Sequence, residues 1–242
     1  LAEFLGTALF IFLGDSSVAL TIFHKDTIGG AAYLAISMGF GLGLMCALYV
    51  AGGSSGGHFN PAVTIASAVY REFPWRRVPG YIVAQTLGAF VGAALTYAQY
   101  RSAFSDYDGG TRQVQGPHGT AGIFATYPAG YLTNLNAAWN EGVATALLII
   151  GIFGCTDKRG MLARSHVPIA VGLIFTTIAL CIGHGTGFAL NPARDFGPRV
   201  FTAIAGWGKD VFTASDYYFW IPLVVPIVGG VLGGLVYDTF IH

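Results

Sequence analysis

"GGHFNPAVTIASAV", Gly56–Val69, is apolar enough to lie inside a bilayer, yet it carries a proline near its start. Far along the chain, "TGFALNPARDFGPRVF", Thr186–Phe201, repeats the same Asn-Pro-Ala core. Proline costs little in the first turn of a helix, where the N–H it lacks has no intrahelical partner. Each stretch therefore reads as a glycine-containing irregular approach followed by a short helix, Pro61–Tyr70 in one case and Pro192–Ile204 in the other. Crossing a membrane takes roughly 20 residues at 1.5 Å each, so neither short helix spans one alone.

The rest of the chain supplies the membrane class. Apolar residues make up 54% and charged residues 10%, with a mean hydropathy of +0.61. Soluble domains carry about 25% charge, so this chain has too few charges to coat a water-facing surface. The net charge of zero gives no case for a nucleic-acid partner. Cys46, Cys155 and Cys181 lie in or beside apolar runs without metal-like spacing and read as packing residues. No metal or cofactor is expected. The chain opens on Leu1 inside an apolar run, so further residues are expected beyond its ends.

Six runs are long enough to span: about Ala2–Phe23, Ala31–Ala51, Val78–Tyr100, Ala137–Cys155, His166–Gly183 and Phe219–Ile241. The polar connection 101–136 divides them into two halves, about 1–100 and 137–242, of one transmembrane domain. Each half reads span, span, half-helix, span. The first span of one half contains "EFLGT", Glu3 and Thr7; that of the other contains "EGVAT", Glu141 and Thr145. With three spans per half, an odd number, the second copy must lie inverted, so that the half-helices enter from opposite faces and meet in the middle. The fold expected is an all-α membrane bundle of six spans and two re-entrant half-helices. Gly88/Gly92, Gly229/Gly233 and Gly230/Gly234 put small residues on one helix face, where backbones approach closely.

Lys and Arg placement sets the orientation. Arg71, Arg76, Arg77, Lys158, Arg159 and Arg164 fall on one side, whereas Lys25, Arg101, Arg112 and Lys209 are dispersed over longer loops on the other. The first side and both termini are expected to face the cytoplasm, in a multi-pass protein of the cell membrane.

Non-helical backbone at membrane depth is tolerated where protein buries it or it lines a wet cavity. Gly56, Gly57, His58 and Phe59 before one motif, and Gly187, Phe188, Ala189 and Leu190 before the other, are expected to present carbonyls that guide water or a hydroxyl in single file. Glu3 and Glu141 are expected to accept from the inward N–H groups of these loops, since intramembrane acids are functional by default. Asn60 and Asn191 sit at N-cap positions, each beside a helix end carrying about half a positive charge. Their amide N–H groups are expected to point into the pore, where a passing water accepts from both and a proton wire breaks.

With these residues in place the chain resembles the major intrinsic protein (aquaporin) family over essentially its whole length, through Asn60-Pro61-Ala62 and Asn191-Pro192-Ala193. The resemblance implies a passive channel, a homotetramer embedded in lipid, and an outer selectivity ring of Phe40, Ala179, Phe188 and Arg194. The arginine fork would face two phenylalanines, matching a polyol with hydroxyls on one edge and C–H on the other. Alanine at 179, where water-selective relatives place histidine, leaves room. Asp195 in "NPARD", "GIFATYP" at 122–128, "AGWG" at 205–208 and "PLVVPIVG" at 222–229 resemble the aquaglyceroporin branch, with glycerol, other small polyols and water as the solutes. Asp195 is grouped with the loop-bracing acids Glu3 and Glu141. Asp15 and His184 depart from the family pattern: Asp15 is expected to face the outer vestibule or pair with a loop, and His184 to cap or brace one. The competing readings are a water-selective aquaporin, a secondary transporter and a structural junction protein. A transporter would show groups placed to bind a coupling ion, and a junction protein would need no polar filter. No nucleophile–base arrangement suggests an enzyme.

Overall fold

The computed structural model describes residues 1–241, Asp26 through its backbone alone. Among the described residues six helices are long and apolar enough to cross a membrane. In chain order they and the two short helices are α1 (Ala2–Phe23), α2 (Ala32–Ser55), α3 (Pro61–Tyr70), α4 (Val78–Gln99), α5 (Asn134–Thr156), α6 (Val167–Ile182), α7 (Pro192–Thr202) and α8 (Trp220–Phe240). Among the described residues the only β pairing is an isolated bridge between Gln113 and Gly119. Helices satisfy their own backbone polar groups, which is what a bilayer demands of any spanning segment.

α2 continues past Ala51 to Ser55 because Gly52, Gly53, Ser54 and Ser55 remain helical until Gly56 turns left-handed at φ 93° and ends the helix. α7 stops at Thr202, short of the expected Ile204, and passes into a wide turn over Ala203–Trp207 with Gly206 at φ 123°.

Glycine decides how the spans cross. A Cβ on Gly88 or Gly92 of α4 would collide with the carbonyls of Phe4 and Ala8 in α1. In the other half, a Cβ on Gly229 or Gly233 of α8 would collide with the carbonyls of Gly142 and Ala146 in α5. Gly41 of α2 and Gly172 of α6 each lie against the other's carbonyl, which brings these two spans into close contact. Close backbone approach of this kind replaces the missing hydrophobic drive between helices in lipid.

The short helices pack across the halves. α3 lies on α8, where Gly230 faces Ala62 and Gly234 faces Tyr70, and α7 lies on α4, where Gly197 faces the Thr86 carbonyl.

The connection 101–136 is more than a polar linker. It holds a helix, Arg101–Asp108, and a 3-10 turn, Ala121–Ile123. Phe104, Ile123, Phe124, Ala125 and Thr126 are buried. Its apolar island "GIFATYP" is folded down against Arg194 and Asp195. The cysteines are free, as expected, but Cys181 is exposed rather than packed.

Candidate functional site

The two pore loops have one backbone. Gly56 and Gly187 have φ of 93° and 81°, Gly57 and Phe188 of 69° and 44°, and Phe59 and Leu190 of 48° and 54°. A left-handed non-glycine residue costs of order 1–3 kcal/mol and persists only where its surroundings over-determine it. Here the determinant is a buried carboxylate behind each loop. Glu3 accepts from the His58 N–H at 3.1 Å and the Phe59 N–H at 2.7 Å. Glu141 accepts from the Ala189 N–H at 2.9 Å and the Leu190 N–H at 2.8 Å. Glu3 also receives the Ser55 hydroxyl at 2.6 Å and the Gln85 amide at 2.7 Å. Thr7 and Thr145 donate to the backbone carbonyls of Glu3 and Glu141, both at 2.7 Å, rather than to the carboxylates.

With the N–H groups turned back onto the glutamates, no hydrogen bond among the described residues ends on the carbonyls of Gly56, Gly57, His58, Gly187 or Ala189. Those of Phe59 and Leu190 differ from expectation. The Asn191 amide donates to Phe59 O at 2.7 Å, and the Asn60 amide donates to Leu190 O at 2.8 Å. Each asparagine thus clasps the opposite loop.

Both asparagines cap their own helices: Asn60 Oδ1 accepts from the Ala62 N–H at 2.8 Å, and Asn191 Oδ1 from the Ala193 and Arg194 N–H groups at 2.9 and 3.1 Å. An amide nitrogen has two hydrogens, so one of each pair is spent on the clasp and one is left over. The sequence picture of amides directed wholly at the lumen is corrected accordingly.

Beside the asparagines lies a neck of about 20 Å³, walled by Phe10, Leu44, Val63, Leu148 and Phe175. That is room for about one water. It shares Leu48, His58 and Val171 with a neighbouring vestibule of about 460 Å³. The His58 ring, near Phe73 and Tyr81 at 4.8 and 5.3 Å, reaches Thr64 Oγ1 at 3.1 Å through Nδ1.

Elsewhere the structure brings Phe40, Ala179, Phe188 and Arg194 into one buried cluster. Phe40 meets Phe188 edge-on at 5.3 Å. The sequence picture set the arginine opposite both rings. Instead its guanidinium lies over the Phe40 face, 4.4 Å from the ring centre, where a cation is attracted to the π face. Arg194 Nη1 donates to the Phe124 carbonyl at 2.8 Å. Gly14 makes room for Phe40, since a Cβ there would enter the ring. Tyr33 donates its hydroxyl to the Ala179 carbonyl at 2.7 Å.

Asp195 braces the connection 101–136 rather than a pore loop. It accepts from the Thr126 N–H at 2.8 Å, the Thr126 hydroxyl at 2.6 Å and Arg199 Nε at 2.8 Å. Asp15 neither faces the vestibule nor pairs with a loop; it is buried in α1, 3.9 Å from Arg194. His184 caps nothing and lies exposed with its ring 5.1 Å from Tyr33. Sequence reasoning missed Phe124 and Thr126, whose signal was the apolar island within a polar segment. It also missed Gln85, a buried amide in an otherwise apolar span.

The family model described as major intrinsic protein matches residues 1–237. Aquaglyceroporin-2 of Rhizophagus irregularis is 49% identical over 242 residues, which cover 100% of this chain and 76% of that protein. Aquaporin-9 of Homo sapiens is 47% identical over 243 residues, covering 100% of this chain and 82% of its own. The X-ray structure of the aquaglyceroporin from Plasmodium falciparum aligns with a TM-score of 0.88 at 35% identity, covering 99% of this chain and 94% of that one.

Proposed function

This chain belongs to the major intrinsic protein family, and from that premise we propose how its pore works. It is a multi-pass membrane channel for glycerol, related small uncharged solutes and water. The observation that carries this reading is full-length similarity to aquaglyceroporins at 43–49% identity. Geometry and resemblance support the following reading of the site residues. A solute entering from outside passes Phe40, Phe188 and Arg194, with C–H groups against the rings and hydroxyls toward the guanidinium. Ala179 leaves the width that a histidine would occupy.

At the centre, the remaining amide hydrogens of Asn60 and Asn191 donate to the passing oxygen. Both neighbours then see only its hydrogens, and a proton wire is interrupted. The positive ends of α3 and α7 reinforce the barrier to cations, as does stripping an ion of water in so narrow a neck. The carbonyls of Gly56, Gly57 and His58 then accept hydroxyls in file toward the inner vestibule, and Gly187 and Ala189 do so on the outer approach. Donors and acceptors lining a narrow conduit decide what passes such a pore.

The halves 1–100 and 137–242 form one channel domain. The basic face with Arg71, Arg76 and Arg77 lies in the cytoplasm together with both termini, and the membrane is the cell membrane. Outward apolar residues such as Leu87, Leu95, Leu232 and Leu235 are exposed in the single chain; they meet lipid or sister subunits of a homotetramer.

Stopped-flow light scattering of reconstituted vesicles tests the reading. Vesicles should shrink in an impermeant sugar and reswell in glycerol, without carrying protons down a pH gradient. Shrinkage in glycerol identical to that in the sugar would overturn the polyol assignment.

A further inference from the structure

Asp15 lies in the middle of α1, fully buried, and neither of its carboxylate oxygens has a hydrogen-bond partner among the described residues. A carboxylate held in an apolar interior without donors is strongly disfavoured unless a charge answers it. Among the described residues the cation beside it is Arg194, whose Nη1 lies 3.9 Å away. Arg194 Nε also lacks an acceptor, while Nη1 donates to Phe124 O and the guanidinium covers Phe40. Adjacent residues of α1 therefore touch two members of the constriction, Gly14 seating Phe40 and Asp15 facing Arg194.

We infer that Asp15 is a positioning residue that sets the width of the constriction. Its charge draws the guanidinium toward α1, onto the Phe40 face and the Phe124 carbonyl, and away from the lumen. An arginine side chain has many rotamers, and an opposite charge this close in a low-dielectric setting selects among them. Without that charge the guanidinium turns toward the wet lumen, narrowing it more for a polyol than for water. The constriction is a buried ion pair rather than a lone cation. This inference rests on the channel reading above.

The test is the ratio of glycerol to water permeability in vesicles, which cancels the amount of folded protein. Asp15→Asn keeps the shape and removes the charge, and should lower the ratio by about threefold or more, which lies within the range of coupling between neighbouring groups. In an Arg194→Ala background the same substitution should leave the ratio unchanged. An unchanged ratio in the parent, or an equal fall in both backgrounds, would overturn the inference. If Asp15→Asn does not reconstitute, Asp15→Ser, which also removes the charge, takes its place: a fall in the parent alone supports the role, and an unchanged ratio removes it. Parent vesicles impermeable to glycerol would instead sink the channel reading itself, so the two failures are distinct.

Discussion

Gly56–Asn60 and Gly187–Asn191 trace the same path with the same left-handed residues, yet they carry different side chains. Where the inner loop has Gly57, the outer has Phe188; three residues past the asparagine, the inner helix has Val63 and the outer has Arg194. At the next position Thr64 joins a network with Gln85 and His58 that leads on to Glu3, whereas Asp195 pairs directly with the Arg199 cation and with Thr126. Symmetry is kept where both loops act together, at the asparagines and their glutamates. It is broken where one mouth alone has to choose a solute. The outer loop accepts a strained backbone at Phe188 to present a ring, and its helix accepts a buried cation to present donors.

The sharpest way to break the comparison is through the glutamates. Glu141→Gln leaves a buried N–H of Ala189 or Leu190 facing the amide nitrogen, which cannot accept, and should cost about 1–3 kcal/mol. Glu3→Gln should cost less, because the Gln85 Oε1 atom is unpartnered and can receive the new amide after a flip. Thermal midpoints in detergent measure the difference; equal losses would mean that the side chains around Glu3 do not cushion it.

The charge asymmetry comes next. Arg194→Ala should raise cation conductance of liposomes by about tenfold or more, since a fixed positive charge in low dielectric is removed. Val63→Ala should leave it at background. Similar leaks from both would place the ion barrier at the asparagines alone.

The smallest effect is at the paired positions 57 and 188. Gly57→Ala should destabilise by about 1 kcal/mol, from its positive φ and from contact with Leu48. Phe188→Gly should relieve backbone strain while admitting longer polyols, read as faster reswelling in a five-carbon polyol than the parent gives.

Most of the frame was legible because it depends on local rules. Pro61 and Pro192 mark helix starts whatever surrounds them, and run length marks the spans. The matched Glu3/Thr7 and Glu141/Thr145 pairs gave away the repeat, and Gly88 and Gly229 the crossings. What escaped depends on where distant chain returns. The connection 101–136 averages to polar, so the burial of Phe124 and Thr126 against Arg194 and Asp195 could not be read from its composition. Asp15 looks like an anomaly within α1, and only the arrival of α7 supplies its partner. The end of α2 was misjudged by four residues because glycine and serine look like a terminus while Gly56 in fact makes it.

The crosswise amide bonds of Asn60 and Asn191 also bear on how the molecule is born. A ribosome delivers the first half with the Phe59 carbonyl and one Asn60 hydrogen unmatched, and both stay so until the second half emerges. Neither half is a finished object. Two separately translated fragments, cut anywhere in the exposed part of 109–118, should find each other in the membrane, because each holds the only groups that complete the other.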